Sequence, residues 1–394
     1  MKIISINAGS STLKFSLFNM DTNEVIVSGN FERIGMEASF YTIKYKDDKV
    51  KIEKEMNDHG DAVKILLEKL VDMKIVDTLE EIDGVGHRIV HGGDKYTKSV
   101  MITDEVLEDI INLTDLAPLH NPAHAMGIKV FREALPKTSM VAVFDTAFHM
   151  TLPKERFLYA VPYYWYEDYN VRKYGFHGTS HRYVTGKMKE YLKKEDINLI
   201  TCHLGNGSSV CAIKDGKSVD TSMGFTPNAG LMMGTRAGDI DATFIPYVME
   251  KEGKSVGEIM NDLNKQSGLY GISELSSDAR DIENAIAEGN EKAILAREMF
   301  TNSIVKYIAE YYVELGRVDA ICFMAGIGER DAGVRREVAE KLAVLGIKID
   351  IEENTKAFGV FSSITKKDSN IPMYVVPTDE ELMIARDTLE IINR

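Results

Sequence analysis

The chain opens on Ile3-Ile4-Ser5-Ile6-Asn7-Ala8-Gly9-Ser10-Ser11-Thr12-Leu13-Lys14-Phe15-Ser16-Leu17, and no other stretch constrains the fold as much. Ile3, Ile4 and Ile6 make one short apolar strand, while Leu13, Phe15 and Leu17 alternate with polar residues in a second. Gly9 permits a tight turn and a close approach of backbone to ligand. Ser10, Ser11 and Thr12 add hydroxyls and Lys14 adds a cation, the groups a phosphate requires. The plan returns in Ile200-Thr201-Cys202-His203-Leu204-Gly205-Asn206-Gly207-Ser208-Ser209-Val210-Cys211-Ala212-Ile213, with Gly9-Ser10-Ser11 aligned on Gly207-Ser208-Ser209. Two such hairpins half a chain apart predict two similar domains facing one cleft, each hairpin holding one end of a polyphosphate.

The rest of the chain fits that plan. Strand patterns over 25–31, 40–45, 50–54, 82–90 and 139–144 accompany helical patterns over 61–71, 103–111 and 123–134. A segment rich in Pro, Tyr and Trp, 149–174, reads as the passage between domains. Helical patterns over 179–193, 239–252, 256–265, 278–288 and 291–315 follow, with a strand at 318–324 and a capping-box start at Thr378-Asp379-Glu380-Glu381. Strands first and helices later, twice over, give an α/β chain with two related halves. The expected boundaries are 1–148 plus 382–394 for the first domain and 149–381 for the second.

Composition excludes several function classes. A net charge of −14 argues against a nucleic-acid surface, so any phosphate must be met by a local cluster of cations. No apolar run approaches the roughly 20 residues of a membrane span. Cys202, Cys211 and Cys322 form no C-x-x-C pair and sit in apolar runs, which suits free thiols in a reducing compartment. The expected location is the cytoplasm.

Neither a G-x-x-x-x-G-K-[ST] loop nor a G-x-G-x-x-G fingerprint occurs. The Gly326/Gly328 turn opens a helix, an arrangement that favours an anion or close backbone contact with a flat ligand. Lys14, Arg88 and Arg236 lie among small residues, and a guanidinium suits a carboxylate or phosphate. His87/His91, His120/His124 and His177/His181 have the i, i+4 spacing of helical zinc ligands. The first pair reads as extended, Pro122 and Gly178 interrupt the others, and no H-E-x-x-H exists. Asp145, Glu380 and Asn7 stand at element ends, as oxygen ligands for Mg²⁺ would.

These motifs, with Gly86-His87-Arg88-Ile89-Val90-His91-Gly92-Gly93, Phe144-Asp145-Thr146-Ala147-Phe148-His149, 174–181, Met233-Gly234-Thr235-Arg236 and Ser276-Ser277-Asp278-Ala279-Arg280-Asp281, resemble the acetokinase family over essentially the whole length. The resemblance implies a duplicated actin-like ATPase (ribonuclease H-like) fold, the active site in the interdomain cleft. It implies reversible, direct in-line phosphoryl transfer from ATP to acetate with Mg²⁺, Mn²⁺ being tolerated, and a homodimer formed through the second domain. By that resemblance Asn7 and Glu380 serve Mg²⁺, and Ser10 and Lys14 contact phosphate. Arg88 holds the substrate carboxylate, and Val90, Leu119, Phe176 and Pro227 hold its methyl group. His177 and Arg236 stabilise the transferring phosphoryl group, and Asp145 is the catalytic carboxylate. His203, Leu204, Gly205, Asn206, Gly207, Asp278, Ala279, Arg280, Gly326, Ile327, Gly328, Glu329 and Arg330 bind the nucleotide. Arg330 departs from the Asn usual in the family. Acetate is already ionised near pH 7, so Asp145 is expected to orient or to act electrostatically rather than as an obligatory base. Rival readings are a propionate or longer acyl kinase, an actin- or chaperone-like ATPase, and a zinc hydrolase.

Overall fold

The computed structural model describes residues 1–117 and 120–394. The chain falls into two compact units, Met1–Phe148 with Asp379–Arg394, and His149–Thr378.

The first unit is built on strands β1 (Lys2–Ala8), β2 (Thr12–Asn19), β3 (Glu24–Glu32), β4 (Phe40–Tyr45), β5 (Asp48–Glu53), β6 (Gly84–Ile89), β7 (Val100–Met101) and β8 (Ser139–Phe144). They lie in the order β5-β4-β3-β2-β1-β6-β8-β7. The hairpin strands β1 to β5 pair antiparallel, and β1, β6 and β8 run parallel. Ile4, Ile6, Leu13, Phe15 and Leu17 bury one face with Val63, Leu66, Leu67 and Leu70 of the helix His59–Asp72. That helix starts where the Asp58 side chain accepts a bond from the Asp61 N–H. The final helix, Glu380–Ile392, packs on β1, β6 and β8. It comes close because β6 carries Gly84 and Gly86: a Cβ on Gly86 would stand 2.2 Å from Thr388 Oγ1 and 2.6 Å from Ile384 Cγ2. The cap differs from the expected box. Asp379, not Thr378, accepts from the Leu382 N–H, at 2.9 Å, whereas the Thr378 hydroxyl pairs with Ser180 at 2.6 Å.

The second unit holds β9 (Leu199–Leu204), β10 (Ser208–Lys214), β11 (Lys217–Thr221), β12 (Ala320–Met324), β13 (Ser362–Ser363) and β14 (Met373–Val375), in the order β11-β10-β9-β12-β14-β13. Its run β11-β10-β9-β12-β14 repeats β3-β2-β1-β6-β8 in order and in strand sense. The duplication predicted from the two hairpins is therefore present at the level of topology. The long helix Glu291–Leu315 covers one face through Ala296, Phe300, Ile304, Ile308, Tyr311 and Leu315. Among the described residues no helix is long and apolar enough to cross a membrane.

Two further expectations change. The helix expected from 239 begins at Phe244. Asp239 is committed to Gly230 through both its backbone N–H and its carboxylate, and Asp241 caps Thr243, so the preceding residues turn instead. The Gly-Ser-Ser alignment is also out of register. The first turn closes from Gly9 N–H to Thr12 O at 2.8 Å and the second from Gly205 N–H to Gly207 O at 3.1 Å. Gly9 thus corresponds to Gly205, the second turn is tighter, and Ser208 and Ser209 fall inside β10, fully buried.

Candidate active site

In the first unit the parallel strands β1, β6 and β8 bring three of the expected site residues to their carboxyl ends, the edge at which open α/β sheets bind ligands. Arg88 is the penultimate residue of β6, and Asp145 follows β8, its N–H bonded to Ile89 O at 2.9 Å. Asn7 lies on the neighbouring β1. Arg88 Nε donates to both Asp145 oxygens at 3.1 Å, its Nη2 forms a further short bond to Asp145, and its Nη1 donates to Asn7 Oδ1 at 3.0 Å. Burial opposes the Arg88 charge, but Asp145 and Glu380 outweigh it and push its pKa up. A guanidinium carries five N–H groups, so one on each terminal nitrogen is left for a ligand. Asp145 is fully buried, and its oxygens fix the plane of that fork.

Asn7 and Asp145 thus hold the Arg88 cation through their oxygens, and the Glu380 carboxylate acts on it electrostatically. That set suits Mg²⁺, which takes one or two carboxylates together with phosphate oxygens and water. Ser10 and Lys14 are exposed at the first turn, and Lys14 lines a groove of about 350 Å³ with Asn30, Lys44, Lys49 and Glu381. Val90 is buried; Leu119 lies outside the described residues. Among the described residues the histidines of this unit join no group of three or more metal-ligating His, Cys, Asp or Glu side chains. His124 Nε2 donates to Ala8 O at 2.8 Å and His59 Nε2 to Gly9 O at 2.8 Å, so both fasten the phosphate-type turn. Burial drives the pKa of His87 and His124 down to about 3 and that of His91 to about 4.

The second unit gathers another set. His177 precedes the helix Gly178–Leu192 with φ +57°, a left-handed conformation that is costly for a residue with a Cβ and is typical of functional positions. Its ring stacks on His203 at 3.9 Å, and its Nδ1 lies 2.9 Å from Ser209 Oγ. Arg236 is held by Pro227 O at 3.2 Å. Gly207 joins the two: a Cβ there would be 3.3 Å from Arg236 Nη1 and 3.5 Å from His177 Nε2. With no side chain at Gly207, Arg236 Nη1 and His177 Nε2 both border the space over its Cα. Phe176 is buried in the same unit, its carbonyl accepting from His149 Nε2 at 2.9 Å.

Gly205, Asn206, Asp278, Ala279, Arg280, Gly326, Ile327 and Arg330 line one pocket of about 530 Å³, joined by Ser277, Glu283, Asp331 and Phe358. Eight of the expected nucleotide residues therefore meet around one volume. Leu204 belongs to the core and offers only its backbone. The Glu329 carboxylate accepts from the Ala325 and Thr378 N–H groups at 2.9 and 3.1 Å, so it braces the turn. Asn206 is drawn in by Gly234, where a Cβ would collide with Asn206 Oδ1 at 1.9 Å. Sequence reasoning did not single out Arg335, which is fully buried and donates to Gly328 O, Asn354 Oδ1, Asn354 O and Ala357 O at 2.8–2.9 Å. An Arg on the apolar stripe of a helix was the available signal.

Comparison with known proteins agrees with this geometry. The profile of the acetokinase family matches residues 2–386. An acetate kinase from Anoxybacillus flavithermus is 52% identical over 394 residues, covering 100% of this chain and 99% of that one. The crystal structure of Porphyromonas gingivalis acetate kinase superposes with a TM-score of 0.95 at 43% identity, covering 99% of each chain. A propionate kinase from Francisella tularensis superposes with a TM-score of 0.94 at 42% identity, again over 99% of each. With the duplicated sheet, the Arg88–Asp145–Asn7 cluster and the glycine-lined pocket in place, these full-length matches establish that the chain belongs to the acetokinase family.

Proposed function

We propose that the protein transfers the γ-phosphoryl group of ATP to acetate, reversibly, giving acetyl phosphate and ADP. The observation that carries the reading is Arg88: a guanidinium fixed by Asp145 and Asn7, with one N–H left on each terminal nitrogen. A carboxylate accepts two parallel bonds from such a fork. The acceptor is already ionised at neutral pH, so no base is required for attack. The chain's work is positioning and charge neutralisation, as expected for phosphoryl transfer. Asp145 orients Arg88. Arg236 Nη1 and His177 Nε2 flank the open space over Gly207 and stabilise charge on the phosphoryl oxygens. The pocket around Gly326, Ile327 and Asp278 takes the nucleoside, while Ser10 and Lys14 meet phosphate oxygens.

Asn7 and Glu380 would hold Mg²⁺, or Mn²⁺ in its place, which supplies positive charge to the phosphate oxygens. Val90, Leu119, Phe176 and Pro227 are assigned to the methyl group by their match to the family pattern. The first unit is assigned the acyl substrate and the second the nucleotide. A homodimer is supported by the aromatic surface of the second unit, where Tyr163, Tyr164, Trp165 and Tyr169 are each more than a third exposed. Three buried free cysteines support a reducing, cytoplasmic location.

Propionate is the second reading, favoured by the propionate kinase neighbour. One methylene in a pocket is worth about 1–3 kcal/mol, so the ranking of acids decides between them. The test is ADP release from Mg-ATP with acetate, propionate, butyrate or no acceptor, with hydroxylamine trapping any acyl phosphate. Acetate-dependent release with trapped product is expected. Turnover that ignores the acceptor would overturn the proposal in favour of an ATPase.

A further inference from the structure

The i, i+4 histidines His177 and His181 and the serine of the second hairpin meet in one chain of hydrogen bonds. His177 Nδ1 lies 2.9 Å from Ser209 Oγ, Ser209 Oγ lies 2.8 Å from His181 Nε2, and His181 Nδ1 lies 2.7 Å from Thr201 Oγ1. Ser209, His181 and Thr201 are fully buried. Helix and strand geometry make the meeting possible. Residues four apart on Gly178–Leu192 and its cap stack along one face, and Ser209 pairs with His203 across the β10–β9 ladder.

Proton counting limits what this chain can do. A serine hydroxyl has one proton and can donate to only one of its two imidazole neighbours. The other imidazole must then donate to the serine. Burial and the neighbouring His149 and His203 hold the His181 pKa well below the ordinary value, so at neutral pH this ring carries a single N–H. Only two polarities are self-consistent. In one, Thr201 donates to His181 Nδ1, His181 Nε2–H donates to Ser209, and Ser209 donates to His177 Nδ1. In the other every bond is reversed.

The two polarities differ in what His177 presents over Gly207. If Nδ1 accepts from Ser209, the ring proton sits on Nε2 and points a donor into the space shared with Arg236 Nη1. If Nδ1 donates, a neutral ring presents a bare lone pair to a phosphoryl oxygen, which repels it. We propose that Ser209, His181 and Thr201 are positioning residues that fix the tautomer of His177 with its proton on Nε2. The stacked His203, itself bonded through Nδ1 to Ser180 Oγ at 3.0 Å, holds the plane of the ring while the relay sets its proton. The inference rests on the proposed phosphoryl-transfer reading for its consequence, though not for its geometry.

The test is long-range ¹H–¹⁵N NMR of the whole enzyme with labelled histidine, joined to steady-state kinetics. In the unaltered enzyme the His177 resonance, assigned through His177→Asn, should show a protonated Nε2 and an unprotonated Nδ1. Ser209→Ala should bring the two nitrogen shifts toward each other and lower kcat about tenfold, with both KM values changed less than twofold, because a donor used in the transition state is only partly populated. Thr201→Val should move both readouts in the same direction by less. His181→Gln keeps an N–H donor for Ser209 and should retain the His177 signature that His181→Ala loses. A proton on His177 Nδ1 in the unaltered enzyme, or unchanged shifts in both Ser209→Ala and Thr201→Val, would overturn the relay. Absence of acetate-dependent ADP release in the unaltered enzyme would instead overturn the functional reading, and the spectra would still decide the tautomer.

Discussion

Replacing Arg335 tests how the nucleotide pocket is held in shape. Arg335 is fully buried and makes four hydrogen bonds of 2.8–2.9 Å, tying Gly328, Asn354 and Ala357 together. Gly328 follows Ile327, and Ala357 precedes Phe358, and both of those neighbours line the pocket. Arg335→Met keeps the length of the side chain and removes every donor. Hydrogen bonds to a charged group are each worth about 1.5–3 kcal/mol. The cost of burying the guanidinium offsets several kcal/mol of that sum. Four orphaned acceptors then remain in the core, and the net loss should be about 4 kcal/mol. Trp165 is the chain's single tryptophan and lies in the second unit, so urea unfolding followed by its fluorescence reads this unit directly. Arg335→Lys should recover less than half of the loss, since one ammonium cannot span the fork. In catalysis the KM for ATP should rise several-fold while the KM for acetate stays within twofold. A stability loss below about 1 kcal/mol, which is within the range of ordinary substitutions, would refute the reasoning, as would parallel changes in both KM values.

Gly86→Ala places a Cβ 2.2 Å from Thr388 Oγ1 and should lower stability by about 2 kcal/mol through overpacking; Gly86→Ala combined with Thr388→Ala should recover part of this in thermal melts, and no recovery would locate the strain elsewhere. Asp379→Ala removes the side chain that caps the final helix and should cost about 1 kcal/mol, whereas Thr378→Ala should leave the helix intact in the same urea titration. His87, His91 and His124 are depressed by burial to between about 3 and about 4. The unfolded chain therefore takes up protons below pH 6.5 where the folded chain does not, and stability falls as pH drops from about 6.5 to about 4, by up to about 1.4 kcal/mol per pH unit for each residue. His87→Leu should remove one such increment, because its Nε2 has no hydrogen-bond partner to lose; an unchanged slope in denaturation at pH 7, 6 and 5 would contradict the assignment.

The α/β class and the duplication are legible in the residue order alone, and so is the choice of candidate site residues. Strand alternation and helical stripes are local, one-dimensional signals, and Ile3–Leu17 or Phe300–Ile308 declare their buried faces without any partner in view. Gly9, Arg88, Asp145 and Gly326 stand out as candidates because a phosphate or carboxylate site demands particular residue types at element ends, whereas Asn206 enters only through the family resemblance. Tertiary structure decided what depends on which backbone groups are already taken. Asp379 rather than Thr378 caps the last helix because the Thr378 hydroxyl meets Ser180. Gly205 rather than Gly207 matches Gly9, since the turn hydrogen bonds set the register and not the Gly-Ser-Ser likeness. The histidine pairs read as failed zinc motifs in one dimension. Folding separates them into carbonyl anchors, as at His124, and a relay, as at His177 and His181, because a hydrogen bond is defined by an approach of about 3 Å between atoms that the sequence places far apart.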